Sequence, residues 1–460
     1  MKDRLLAISP LDGRYREKVE KISEYFSENA LFLGRVEVEC GYLEKLSDKK
    51  IIRKFSTKEK KTLQKLYRDF STKDGIEIKK IEETTRHDVK ATEYWIKQKL
   101  GKTSLKNVVE FVHFGLTSTD TDNIAYAILT DRALKHIVIP SLKETIETIL
   151  SLAESEKNTS ILARTHGQPA VPTTLGKEYS VFAVRLCDQL KQLKSFKSKA
   201  KLNGAVGNYN AHSFSLPQID WVAFSTEFIS DFGLEPNLFT TQIEPHDKLV
   251  ELLGLLSRIN SIIIDLDRDS WMYISNEILI LKPVKGEVGS STMPQKVNPI
   301  DFENSEGNAK VANSLMEGIG RELQVSRLQR DLSDTTVLRN LGVMLGHSLL
   351  CYISAAQGLR KVSANRQKIK EELEGHYEIL SEGYQTLLRL KGQNKPYEQL
   401  KELVRGRKVL KSDMKSFAES LKVDSTTKKR LSELTPDIYI GKAVQLTEMA
   451  IEKSRKELRT

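Results

Sequence analysis

The sequence predicts an all-α protein, a bundle whose helices exceed ordinary globular lengths. Three observations carry that expectation. Helical periodicity dominates long stretches from Thr173 to about Lys201, from Asp247 to Leu281 and, around a break at Ser326–Thr336, from Ile300 to about Arg360. Between Asp247 and Leu281 there is no proline and a single glycine, and apolar residues from Leu249 to Ile264 are dense enough to bury a helix on most sides. Strand signals are scarce, and no βαβ alternation occurs. A helix over 247–281 would be about 50 Å long. Helices this long and apolar need partner helices, which favours an oligomer.

In chain order, SPLDGRY (9–15) reads as a turn cluster through its Pro, Asp and Gly. The spacing of Leu31, Leu33, Val36, Val38, Tyr42 and Leu43 predicts a helix from Arg16 to Leu46. A Lys-rich stretch with short helices follows. TTRHDVKATEYWIKQKL (84–100) starts a helix, with Thr84 or Thr85 as its cap and Asp88 in the first turn. The segment 103–123 ends in hydroxyls and carboxylates, so Ser118, Thr119 or Asp120 caps a helix running to about Ile139, where Pro140 kinks or restarts it. In the next long helix Leu175, Tyr179, Phe182, Leu186, Leu190 and Leu193 form one stripe. After about Ala364 the texture changes to shorter Lys/Glu-rich helices with turns at Gly392 and Pro396. The expected division is 1–110, 111–364 and 365–460, with no internal repeat.

Composition narrows the function class. Lys and Arg number 72 against 62 Asp and Glu, a net charge of +10 in 460 residues. A basic chain can meet nucleic acid, an anionic membrane surface or an anionic small molecule. Here the lysines are scattered over helical faces, as in KKIIRKFSTKEKK (49–61), with no aromatic-interleaved basic stripe. Solvated helix surface, with a smaller contribution at an anion site, is the reading that fits. Cys40, Cys187 and Cys351 lie in apolar helical contexts without a CxxC pair, which suits reduced core residues of a cytosolic protein. The N-terminus lacks an apolar h-region, so no secretory signal is expected. No apolar run reaches the roughly 18 residues of a membrane span.

The densest chemistry lies in 286–308, GEVGSSTMPQKVNPIDFENSEGN. Gly286 and Gly289 loosen its first half, and Pro294 and Pro299 block regular helix there. The second half can be helical, with Pro299 tolerated in a first turn. It holds hydroxyls (Ser290, Ser291), a cation (Lys296), amides (Asn298, Asn304) and a carboxylate (Glu303). A polar inter-helix loop is the bland reading of such a composition. A second concentration is LARTHGQPAVPTT, where Gly167, Pro169 and Pro172 exclude helix and His166 sits just before a long helix begins. A histidine on a constrained loop is well placed for acid/base work, though a turn or cap role explains it equally. TTRHDVKA contains Arg86, His87 and Asp88, and TTQIEPHDK contains Gln242 and His246, itself a possible helix-start residue. His113, His136, His212, His347 and His376 have no such neighbours and read as ordinary.

GSSxMPxKxN, followed by Glu303 seven residues after Lys296, resembles the signature of the fumarase/aspartase superfamily, whose members make fumarate by β-elimination. RTHGQPA and TTRHDVKA resemble the adenylosuccinate lyase version of the superfamily motifs. DGRY (12–15), HFGLTSTD (113–120), NGAVGNYNAH (203–212) and RDLSDTTVLRN (330–340) agree. The resemblance is near full length and is strongest to the longer bacterial form. Gln295 stands where that form commonly has His, and Thr335 where Ser is usual. Argininosuccinate lyases often carry Gln in the first slot, so that enzyme is the alternative. A non-catalytic helical scaffold and a basic nucleic-acid-binding protein are the other rivals, and neither accounts for Ser290, His166, Lys296 and Glu303 together.

The resemblance implies a three-domain fold around a central bundle of long helices, cleavage of adenylosuccinate to AMP and fumarate, and cleavage of the related ribotide SAICAR to AICAR and fumarate. By it, Ser290 takes the proton beside a carboxylate, Lys296 favours the alkoxide, His166 protonates the leaving nitrogen, and Glu303 pairs with that histidine. Arg14 and Tyr15 match the nucleotide-contacting pair, and Arg86, His87 and Asp88 the next substrate block. Thr117 and Ser118 match hydroxyls at the succinyl end, and Gln242 a substrate-contacting amide. Ser291, Lys296, Val297, Asn298 and Asn304 match the loop contacts. Arg330 matches a substrate-binding cation, and Thr335, Thr336, Val337, Leu338 and Arg339 a phosphate-binding run. It implies no metal or organic cofactor, a cytoplasmic location, and a homotetramer in which three subunits build each site.

Overall fold

The computed structural model describes residues 2–283, 286, 292–293, 295–406 and 408–459. Helices carry the fold, and strands among the described residues are confined to three two-stranded pairings. The all-α expectation holds. The chain divides into two compact units. The first comprises Met1–Ser141, Gln192–Asn260 and Asn308–Leu350, and the second Leu142–Lys191, Ser261–Gly307 and Cys351–Thr460.

The first unit is centred on the helices Glu28–Asp48, Asp88–Leu100, Ser118–Ala133 and Trp221–Asp231. Val36, Tyr42, Leu43, Trp95, Ile128 and Phe228 are buried together between them. Tyr42 packs edge-on to Phe224 and Phe228, each with ring centroids 5.7 Å away. The single helix expected over Arg16–Leu46 is broken. Ser27 is extended (φ −79°, ψ 162°), and its hydroxyl accepts from the Ala30 N–H at 3.1 Å, so a fresh helix starts at Glu28. Serine competes well for that N-cap position, and the apolar periodicity hid the break.

Two other helix starts lie a few residues from where the sequence pattern put them. Thr84 and Thr85 complete a preceding helix, Thr72–Thr85, which ends on Arg86 in the left-handed region (φ 53°). His87 is the cap, its Nδ1 accepting from the Lys90 N–H at 3.2 Å. Thr117 is extended and caps Ser118–Ala133, while Asp120 reaches back to the Thr117 N–H at 2.9 Å. Pro140 perturbs the next stretch as expected. A π turn, Leu134–Val138, precedes the helix Ile139–Ser155. Pro140 has no N–H to give, and its ring crowds the carbonyl four residues back, so the chain widens there.

The second unit contains a hairpin, Ser160–Thr165 paired with Gln168–Thr174, leading directly into the helix Leu175–Ser195. The predicted stripe of that helix, Leu175 to Leu193, is buried. The helix expected over 247–281 ends at Ser275. Glu277 is left-handed (φ 60°), and Leu279–Leu281 then pairs antiparallel with Val362–Ala364. A short apolar run can serve helix or strand, and here the strand pairing decides. The third long stretch resolves into Ile300–Leu323, Ser333–Leu338 and Leu341–Lys361, with its break where expected. Cys40, Cys187 and Cys351 are all buried. No helix among the described residues is long and apolar enough to cross a membrane.

Candidate active site

Arg330 is the hub of the first unit's polar cluster. Its guanidinium donates to Gln242 Oε1 at 3.1 Å and to Ser118 Oγ at 3.4 Å, and reaches Thr335 Oγ1 at 3.5 Å. Three residues singled out in the sequence, 212, 88 and 5 positions away along the chain, thus meet around one cation. Gln242 is held from both ends. Its Nε2 donates to the Ala205 carbonyl at 2.8 Å, and its own carbonyl accepts from Thr119 Oγ1 at 2.8 Å. Thr335 is fixed by Asp334, which accepts from the Thr335 N–H at 2.6 Å. Asp334 in turn faces His246 Nε2 at 3.5 Å.

A second cluster surrounds Asp88. The buried Arg35 donates to Asp88 at 2.7 Å and to Asp122 at 2.6 Å, and Arg339 stands 3.6 Å from Asp88. Burial opposes charge on Asp88, but Arg35 outweighs it and holds this carboxyl below the usual carboxylate range. Asp122 lies deeper, where burial wins over Arg35 and pushes its carboxyl up. Arg339 ends the short helix Ser333–Leu338, on which Leu338 is buried, Val337 half-buried and Thr336 exposed. Arg86 and His87 are exposed beside Asp88. Arg14 is exposed too, 5.9 Å from the centroid of the half-buried Tyr15 ring. A cavity in this unit is walled by Arg35, Asp122, His246, Thr335 and Arg339.

The remaining candidates lie in the second unit. His166 and Gly167 form the tip of the hairpin, both left-handed (φ 53° and 74°), and His166 is exposed. Glu303 opens the first turn of Ile300–Leu323 and accepts from the indole N–H of Trp271 at 3.2 Å. Among the described residues no contact joins Glu303 to His166. Lys296 and Val297 are exposed, Asn298 is half-buried, and Asn304 donates to Ser354 Oγ at 3.1 Å. Ser290 and Ser291 lie outside the described residues.

Sequence reasoning passed over Arg35, Asp122 and Lys201, and read Asp120 only as a possible helix cap. Arg35 looked like one charge among many on a helix. Its signal was position, since it lies between Leu31 and Val38 on the buried face. Lys201 and Asp120 are both fully buried and paired at 2.9 Å. Four ordinary-looking histidines have structural partners: His113 with Glu39 at 2.5 Å, His212 near Tyr42 at 3.2 Å, His347 with Asn308 at 2.8 Å, and His376 with Glu378 at 2.6 Å.

With the geometry in view, comparison with known proteins is informative. A lyase family model matches residues 13–313, and a model described as adenylosuccinate lyase C-terminal matches 326–440. Two solved structures share the fold: 3-carboxy-cis,cis-muconate lactonizing enzyme from Pseudomonas putida (TM-score 0.77, 17% identity, 95% of this chain and 97% of that one) and fumarate lyase from Mesorhizobium sp. BNC1 (0.76, 15%, 94% and 97%). The fold is therefore that of the fumarase/aspartase class of lyases. The adenylosuccinate lyase of Haemophilus influenzae is 47% identical over 96% of this chain and 98% of its own length. Those of Escherichia coli K12 (44%, 96% and 98%) and Dictyostelium discoideum (48%, 95% and 97%) are similarly related. The chain belongs to the adenylosuccinate lyase family.

Proposed function

We propose that the chain is a carbon–nitrogen lyase of purine nucleotide biosynthesis that eliminates fumarate from adenylosuccinate, giving AMP, and from SAICAR, giving AICAR. The observation that carries this reading is kinship with adenylosuccinate lyases over almost the whole chain. The argininosuccinate alternative rested on Gln295 alone, one residue against that kinship.

The difficult step removes a proton from the carbon beside a carboxylate, which puts further negative charge on that group. Preorganised donors and cations must stabilise it. Ser290 is the proposed base, activated by the neighbouring cation Lys296, and His166 the acid that protonates the departing nitrogen. Glu303 pairs with His166 and orients its ring. Arg14 and Tyr15 contact the nucleotide, and Arg86, His87 and Asp88 form the next substrate block. Thr117 and Ser118 take the succinyl end, Gln242 is a substrate-contacting amide, and Ser291, Lys296, Val297, Asn298 and Asn304 supply further substrate contacts. Arg330 is a substrate-binding cation, and the run Thr335, Thr336, Val337, Leu338 and Arg339 supplies hydroxyls, N–H groups and a cation, which suit a phosphate. The cluster of Arg330, Gln242, Ser118 and Thr335 supports this assignment.

The working assembly is a homotetramer in the cytoplasm, each site built from three subunits, with no nucleic-acid or membrane partner. The single chain supports shared sites in one respect. His166, Lys296 and Arg86 point into solvent, and among the described residues none of their side chains is hydrogen-bonded. Within each chain we retain three domains at 1–110, 111–364 and 365–460, which limited proteolysis tests by the position of its first cuts.

A substrate panel tests the reaction. Fumarate appearing from adenylosuccinate and SAICAR, and none from argininosuccinate, is the expected result. The reverse pattern would overturn the assignment.

A further inference from the structure

Asp120 and Lys201 are both fully buried, and their charges lie 2.9 Å apart. Burial pushes the Lys201 ammonium down, against the pull of Asp120. Pairs of this kind seldom stabilise a fold more than apolar residues of the same volume, because both ions lose their hydration. Local geometry gives this pair another use. Asp120 accepts from the Thr117 N–H at 2.9 Å, the Asn203 N–H at 3.0 Å and the Gly204 N–H at 3.1 Å. Lys201 Nζ donates to the Gly204 carbonyl at 3.1 Å, and its own N–H donates to Asn123 Oδ1 at 2.8 Å.

These bonds close a ring. From Asp120 the chain leads through Thr117 to Ser118, whose hydroxyl meets Arg330. Arg330 meets Gln242, and Gln242 donates to the carbonyl of Ala205, the residue after Gly204. Gly204 returns to Asp120. The two segments that the ion pair ties together, 117–120 and 203–205, are therefore the two supports of Ser118 and Gln242. We propose that Asp120 and Lys201 are positioning residues that set the spacing between Ser118, Gln242 and Arg330, and thereby the affinity of the site for the four-carbon dicarboxylate half of its substrate. The proposal rests on the functional reading above. Neither residue touches substrate. Each acts through the groups it holds.

The test separates the two halves of the substrate. Asp120→Asn removes the charge and offers an NH2 group to the Thr117 N–H, while the double variant Asp120→Asn/Lys201→Met leaves no unpaired buried charge and serves if the single variant does not fold. Product inhibition by fumarate and by AMP is measured in each, beside kcat, KM and the melting temperature. The inhibition constant for fumarate is expected to rise about tenfold while that for AMP changes less than about twofold. Lys201→Arg, which keeps the charge and the donors, is expected to fall between wild type and Asp120→Asn. Equal weakening of both products, or a lowered melting temperature with both constants unchanged, would show a merely structural pair and overturn the proposal. Wild-type protein that releases no fumarate would remove the functional reading and this proposal with it. Wild-type turnover with no product split removes this proposal alone.

Discussion

Arg35 is a full positive charge on the buried face of a helix, and its two carboxylate partners explain why it is tolerated there. Among the described residues, taking it away leaves Asp122 uncompensated and Asp88 with only Arg339, 3.6 Å away. Arg35→Met is expected to lower unfolding free energy by about 3–5 kcal/mol in urea titrations, and a loss under about 1 kcal/mol would show that the cluster is not held by this charge. Asp267 is the opposite case. It is buried at 1% exposure, Ser305 close by spends its hydroxyl on the Cys351 carbonyl at 3.0 Å, and among the described residues neither Asp267 oxygen has a hydrogen-bond partner of good geometry. Burial raises its carboxyl well above the ordinary value. A carboxyl raised in the folded state costs nothing below its unfolded value of about 3.9, and costs progressively more as pH rises towards the folded value. Asp267→Asn should therefore raise the melting temperature more at pH 8 than at pH 4.5, and an equal change at both would contradict the assignment. Beyond Arg35's place on an apolar helix face, neither residue was legible in the sequence. Helical periodicity locates apolar residues, whereas the partners that hold a buried charge lie far along the chain.

At the scale of elements, type and order were readable and boundaries were not. The long helices, the break at Ser326–Thr336 and the perturbation at Pro140 all follow from period and proline. The cap at Ser27 and the strand Leu279–Leu281 do not, because a local hydroxyl and a distant pairing decided them. His166 shows how an element serves chemistry. It occupies the first position of a two-residue hairpin turn whose two φ angles are positive, a conformation that asparagine adopts with little strain. His166→Asn should keep the turn and the melting temperature while reducing kcat by about a hundredfold or more. A large drop in melting temperature would mean that the ring supports the hairpin. Unchanged turnover would remove His166 as the acid.

For the whole molecule, the motifs that identify the family were legible because they are short and contiguous, whereas the arrangement that makes them a site was not. Arg330, Gln242, Ser118 and Thr335 come together within one compact unit, yet nothing in their separate sequence contexts sets that geometry. His166 and Glu303 are a pair by resemblance, and among the described residues no contact joins them within one chain. Sedimentation of active enzyme should accordingly give a tetramer, and an active monomer would refute sharing. The most direct measurement is fumarate release from adenylosuccinate by purified protein, with Ser290→Ala and His166→Ala alongside. Release by the wild type and its loss in both variants, with substrate still bound by Ser290→Ala, is the predicted result. A folded tetramer that releases no fumarate, or a Ser290→Ala variant that turns over near normally, would contradict it.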